Sequence, residues 1–189
     1  MSTPVLTVAN LLTMSRMSLA PLLVVLVLWG ELQWAFAIFV FAGITDLLDG
    51  EIARRSGQQS TLGAMLDPVA DKILLTSCFV ALTWTPGLWT SLPAWLTVVT
   101  LSRDAMIIVS VVVINLTLGR RVFYPSVLGK LSTLSQLVSV GMVLLLNAFS
   151  LAFPAAVYIY QATLVLTVAS AAHYAYLATA RRAAKQPEH

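Results

Sequence analysis

Asp46, Asp49, Asp67 and Asp71 are carboxylates set in apolar sequence at the spacing D-x2-D-G-x2-A-R-x8-G-x3-D-x3-D, which also fixes Gly50, Ala53, Arg54 and Gly63. On a helix, residues three, four and seven apart share a face. Asp46, Asp49, Gly50 and Ala53 therefore line one side of one predicted helix, and Gly63, Asp67 and Asp71 line one side of the next. Only a short turn separates the two helices, so they are expected to be antiparallel neighbours whose acidic faces meet as a four-aspartate, all-oxygen cage. Hard oxygen donors select Mg2+, Mn2+ or Ca2+, and the lack of a nearby His or Cys argues against zinc, copper or iron. Mg2+ or Mn2+ is the expected cofactor. Small residues beside the carboxylates let a ligand or a facing backbone approach closely, although tight helix packing uses them too. Ion pairing with Arg54, Arg55, Lys72 or Arg103 would neutralise some of the aspartates, but it gives no reason for two facing acidic stripes.

The elements that must hold this cage are membrane helices. Hydrophobic residues make up 59% of the chain and charged residues 10%, with mean hydropathy +0.88, outside the soluble globular range. A carboxylate at membrane depth costs about 2.5 kcal/mol or more unless it is neutralised, paired or metal-bound. Apolar stretches near 11–30, 33–55, 61–84, 91–118, 127–149 and 154–180 are each long enough to cross a bilayer. Gly30, Pro86-Gly87, Pro93, Gly119, Pro125 and Pro154 punctuate the turns. The expected fold is an all-α integral membrane protein, a single domain over 1–189 with six transmembrane helices. Val5, Leu6, Val8, Leu11 and Leu12, interleaved with Thr7, Asn10, Thr13 and Arg16, predict an interfacial helix leading into the first span. Arg16 ahead of the run Leu19 to Leu28 resembles a leader, but no A-x-A cleavage site follows, so a retained span is expected. The lone Cys78 excludes an intrachain disulfide and reads as a small buried packing residue.

Arg54, Arg55, Arg120, Arg121, Lys130, Arg181, Arg182 and Lys185 lie after spans two and four, early in span five and in the C-terminal tail, whereas the opposite turns carry no Lys or Arg. The positive-inside rule then places both termini and the carboxylates toward the cytoplasm. Arg181-Arg182 serves topology and anionic-lipid contact, and the net charge of +3 gives no argument for a nucleic-acid partner.

At every fixed position the string from Asp46 to Asp71 resembles the signature of the CDP-alcohol phosphotransferases. The segments AGITDLLDGEIARR (42–55), LGAMLDPVADKILL (62–75) and SRDAMI (102–107) look like cardiolipin synthases of the CDP-diacylglycerol-using type. The string from Asn10 to Arg16 and that from Gly129 to Thr133 recur both there and in phosphatidylglycerophosphate synthases. The resemblance implies a six-helix membrane fold, often a homodimer, in which Asp46, Asp49 and Asp67 hold metal and Asp71 supplies the base while completing the metal site. It also implies that the nucleotide lies against Gly50, Ala53 and Gly63, with Arg54 near the diphosphate. The implied reaction is attack by an acceptor hydroxyl on the lipid-linked phosphorus of CDP-diacylglycerol, releasing CMP.

Arg103-Asp104 sits well inside the fourth span, where an ion pair is costly unless it is functional or structurally buried. An acceptor phosphate is one partner for Arg103, and Lys130 and Ser132 are candidates for the same acceptor pocket; an interhelical ion pair and a snorkelling lysine are the structural alternatives. Lys72 reads as a structural partner, and His173 as a packing residue. Phosphatidylglycerol, giving cardiolipin, is the expected acceptor, with glycerol 3-phosphate the alternative. A divalent-cation channel or carrier would also set carboxylates among helices. It is disfavoured because all four lie toward one membrane side and no acidic path continues through the later spans.

Overall fold

A computed structural model describes the backbone of residues 8–56, 61–118 and 127–183 and the side chains of residues 17–45, 71–109 and 127–176. The described residues form six helices and no strand: α1 (Val8–Leu28), α2 (Leu32–Ser56), α3 (Thr61–Trp84), α4 (Ala94–Leu118), α5 (Val127–Ala148) and α6 (Ala156–Ala183). Among them, α5 and residues Ala156–Tyr176 of α6 are long and apolar enough to cross a membrane.

The helix ends follow local chemistry. Gly30 takes φ +79°, and the bonds Gly30 N to Val27 O (3.1 Å) and Glu31 N to Leu26 O (2.9 Å) close α1 with a Schellman motif, in which a left-handed residue satisfies the last carbonyls. α5 ends the same way through Leu151 N to Leu146 O (2.8 Å), with Ser150 at φ 51° in place of a glycine. α4 and α6 begin at Ala94 and Ala156, later than expected. Pro93 and Pro154 bias the preceding residue away from helical backbone, so neither helix can start upstream of its proline. The Pro93 carbonyl instead accepts from Leu96 N and Thr97 N and opens α4. α1 runs unbroken from Val8 through Asn10, Thr13 and Arg16 to Leu28, so the polar stripe and the apolar run Leu19 to Leu28 share one helix. Pro21 lies within it and does not end it. Residues 1–7 lie outside the described residues.

The chain divides into two compact units. The first comprises residues 1–92 and 140–153, where α1 packs on α2 and α3. Its core is built by heptad-like stripes, Ala20, Leu23 and Val27 on α1 and Leu75, Cys78, Phe79 and Leu82 on α3, all buried. Cys78 fills the packing role expected of it, fully buried and free. A Cβ at Gly141 would stand 3.3 Å from the Phe39 ring, so a glycine lets α5 approach α2 there. Asn147 ties the α3–α4 connection to α5: its Oδ1 accepts from Thr90 N (3.1 Å) while its Nδ2 donates to Thr90 O (2.6 Å) and Val143 O (2.7 Å). Replacing Asn147 with Leu leaves both backbone groups of Thr90 without these partners. The expected loss is about 2–3 kcal/mol, measurable as reduced thermal stability in detergent.

The second unit comprises residues 93–139 and 154–189, with α4 packed on α6. Its interior is polar as well as apolar. Thr97, Thr100, Arg103 and Asp104 on α4, Ser132, Gln136 and Ser139 on α5, and Thr163, Thr167 and Ser170 on α6 are all buried.

Candidate functional site

The four aspartates fall on two helices of the first unit, Asp46 and Asp49 on α2 and Asp67 and Asp71 on α3. At 1.5 Å per residue, Asp49 stands about 10 Å before the end of α2, and Asp67 about 9 Å after the start of α3. Asp46 and Asp71 each stand about 15 Å from those same ends. Four residues separate the two helices, so in an antiparallel pair the aspartates fall at two matched depths, one from each helix at each level. Asp71 is the one whose side chain is described, and it is exposed. The side chains of Asp46, Asp49 and Asp67, and of Ala53 and Arg54, lie outside the described residues, as do the surroundings of Gly50 and Gly63. The cage and the nucleotide contacts expected there fall outside them too.

The donor set fits a hard divalent cation. Two positions on each of two helices offer carboxylate oxygens only, and helical register turns each pair to one face.

The acceptor candidates lie in the second unit, where the structure separates them. Arg103 is 5% exposed, and its guanidinium is already engaged. Nη1 donates to Asp104 Oδ1 at 2.7 Å and Nη2 to Ser170 Oγ at 2.6 Å. Ser132 is fully buried, its hydroxyl paired with Thr167 Oγ1 at 3.2 Å and accepting from Gln136 Nε2 at 3.3 Å. Lys130 is exposed. Two residues apart on a helix is about 200° of rotation, so Lys130 and Ser132 occupy opposite sides of α5. Arg103 and Ser132 are instead linked through α6, since Ser170 and Thr167 are one turn apart. His173, the next turn of α6, is half-buried.

Ser170, Thr167, Thr163 and Gln136 did not stand out in the sequence, yet a signal was there. Polar residues recur at i, i+4 and i+7 within apolar helices, as Ser132, Gln136 and Ser139 on α5 and as Thr163, Thr167 and Ser170 on α6. The two stripes meet, with Ser139 Oγ 2.9 Å from Thr163 Oγ1 and Thr163 Oγ1 donating to Ser135 O at 3.2 Å. In apolar surroundings such contacts hold helices together and fix their register.

Comparison with known proteins decides the family. The model of the family described as CDP-alcohol phosphatidyltransferase matches residues 6–173, a span that includes all four aspartates, Arg103, Lys130 and Ser132. The chain belongs to the CDP-alcohol phosphatidyltransferase family. Among its relatives is a cardiolipin synthase (CMP-forming) of Streptomyces coelicolor, 38% identical over 151 residues, which are 75% of this chain and 66% of that protein. The cardiolipin synthase (CMP-forming) of Homo sapiens is 44% identical over 106 residues, 56% of this chain and 34% of the human protein. A probable phosphatidylglycerophosphate synthase of Mycobacterium tuberculosis is 35% identical over 173 residues, 88% of this chain and 78% of the relative. The chain thus matches about two thirds of the length of the Streptomyces relative and about one third of the human one.

Proposed function

We propose that the chain is a metal-dependent enzyme of phospholipid synthesis, transferring the phosphatidyl group of CDP-diacylglycerol to a glycerol-type hydroxyl with release of CMP. The acceptor is phosphatidylglycerol and the product cardiolipin. The observation that carries this reading is the two-by-two register of Asp46, Asp49, Asp67 and Asp71 on α2 and α3 within the family span. The names of the Streptomyces and human relatives support the choice of acceptor. A second reading, with glycerol 3-phosphate as acceptor, is favoured by the M. tuberculosis relative, whose match covers more of both chains.

In this mechanism the cytidine nucleotide lies against Gly50, Ala53 and Gly63, where small residues leave room, with Arg54 beside the diphosphate. The acceptor oxygen bonds to the lipid-linked phosphorus as the bond from that phosphorus to the CMP oxygen breaks, and Asp71 takes the hydroxyl proton. Asp46, Asp49, Asp67 and Asp71 would hold Mg2+ or Mn2+, which would supply charge neutralisation on the pyrophosphate as a Lewis acid. Asp71 suits the base role because the residue is exposed, so that an acceptor can approach it. For the acceptor we retain Arg103, Lys130 and Ser132 as candidates, with Lys130 the most accessible of the three.

The reading places all six helices across the membrane, the carboxylate end facing the cytoplasm, in a homodimer as the family resemblance implies. Aromatic placement in the first unit supports the orientation. Trp29, Trp34, Trp84 and Trp89 are exposed, and all belong to the α1–α2 and α3–α4 ends, opposite the aspartates. Tryptophan favours the membrane–water boundary, while arginine marks the cytoplasmic side. Trp34 and Arg54 stand about 30 Å apart along α2, the thickness of a hydrocarbon core.

The test supplies purified protein in lipid with CDP-diacylglycerol, Mg2+ or Mn2+, and each acceptor separately, and identifies products by mass. Cardiolipin from phosphatidylglycerol, with no product from glycerol 3-phosphate, is the expected result. The reverse pattern moves the chain to the second reading, and intact CDP-diacylglycerol in every arm overturns both.

A further inference from the structure

Between α1 and α3 the first unit holds a groove of about 450 Å3, lined by Val24 and Leu28 on α1 and by Ser77, Val80, Ala81 and Trp84 on α3. Small residues leave the space: Ala81 is buried and Ser77 half-buried, while Leu28, Val80 and Trp84 are exposed around them. The Thr85 hydroxyl at one end is itself buried, and the lining is almost wholly apolar. A volume in the range of about 300–1,000 Å3 suits a small ligand, but a small-molecule site normally adds a few polar groups that fix orientation. This one offers almost none, and water would find no partners there. Hydrocarbon is the chemistry that fits.

The groove's length and depth narrow the choice. Thr85 N still donates to Ala81 O at 3.0 Å, so the helical rise holds to the end of the groove. From Thr76 to Thr85 it runs nine residues, about 13.5 Å. Half the hydrocarbon thickness of a bilayer is about 15 Å. Its Thr85 end is where Trp29, Trp84 and Trp89 are exposed, at the membrane boundary opposite the aspartates. At about 100° per residue, Ser77, Val80 and Trp84 stand about 120–180° round α3 from Asp71, away from the face where the donor's diphosphate must sit. Given the six-span orientation proposed above, on which this inference rests, we propose that the groove seats one acyl chain of a phospholipid from the leaflet opposite the aspartates. This lipid site is separate from that of the donor. A chain lying there touches two helices instead of one, and many weak dispersion contacts sum to a longer stay than that of the surrounding lipid.

Full-length protein in vesicles of phosphatidylcholine that carries a mid-chain diazirine tests the site, with labelled residues mapped by mass after illumination. Val24 and Val80 should be labelled several-fold more than Val40 and Phe41, exposed residues of α2 at comparable depth. Excess CDP-diacylglycerol should not displace that label. Ser77→Leu, which fills the groove, should remove the excess and leave α2 labelling unchanged. Equal labelling of groove and α2 overturns the proposal, because it is ordinary lipid contact. Displacement by CDP-diacylglycerol does so by assigning the groove to the donor, and rapid, high-yield disulfide formation between two Val80→Cys chains does so by assigning it to a second copy. Label absent from α2 as well as from the groove overturns the membrane orientation itself, and the site with it. Should Ser77→Leu fail to fold, the labelling ratio and the competition in the parent protein decide.

Discussion

Asp71→Asn is expected to lower turnover by about 10²- to 10⁴-fold, the usual contribution of a positioned general base, while leaving Mn2+ and CDP-diacylglycerol binding within a few-fold of the parent. Asparagine keeps the shape of the side chain and one oxygen donor but cannot take the acceptor's proton. Asp49→Asn and Asp67→Asn should differ in kind, weakening metal binding first and losing activity in consequence. Mn2+ affinity by electron paramagnetic resonance, set beside single-turnover rates, separates the two patterns. Near-normal turnover in Asp71→Asn removes the residue from the base role, and a loss of metal binding as severe as in Asp49→Asn makes it a ligand only.

The second large effect is on stability. Arg103 and Asp104 form a 2.7 Å ion pair whose side chains are 5% and 10% exposed. Arg103→Met removes the cation that faces the buried Asp104 carboxylate at 2.7 Å. Breaking a buried pair in this way costs about 3–5 kcal/mol, whereas replacing both members with apolar residues is often close to neutral. The double variant Arg103→Met with Asp104→Leu should therefore unfold well above the single variant in a thermal scan. Equal midpoints for the two would mean that the pair contributes no more than two independent side chains. Arg103→Lys is not a neutral control, because one ammonium cannot reproduce the forked contacts to Asp104 and Ser170.

Much of the architecture was legible from residue order alone. Six apolar stretches became six helices with ends close to those expected, since helix formation and termination are local events. A run of apolar helix formers starts the element, and Gly30, Pro93 and Pro154 stop or delay it through backbone sterics. The register of the aspartates was equally local: three- and four-residue spacing sets a common face as soon as the segment is helical. The polar stripe of Asn10, Thr13 and Arg16 interrupts hydropathy without interrupting the backbone, so it and the apolar run after it form one helix.

The sequence by itself determined the helices, their limits and the pairing of carboxylates along α2 and α3. Only the tertiary structure decided what the other polar groups do. That Arg103 is spent on Ser170, 67 residues away, and that Asn147 holds Thr90, 57 residues away, depend on which helices are neighbours. Spacing along one chain segment carries no record of that choice. It is made when buried donors must find acceptors in an interior with no bulk water, and the partners they find are those that packing brings within 3 Å or so.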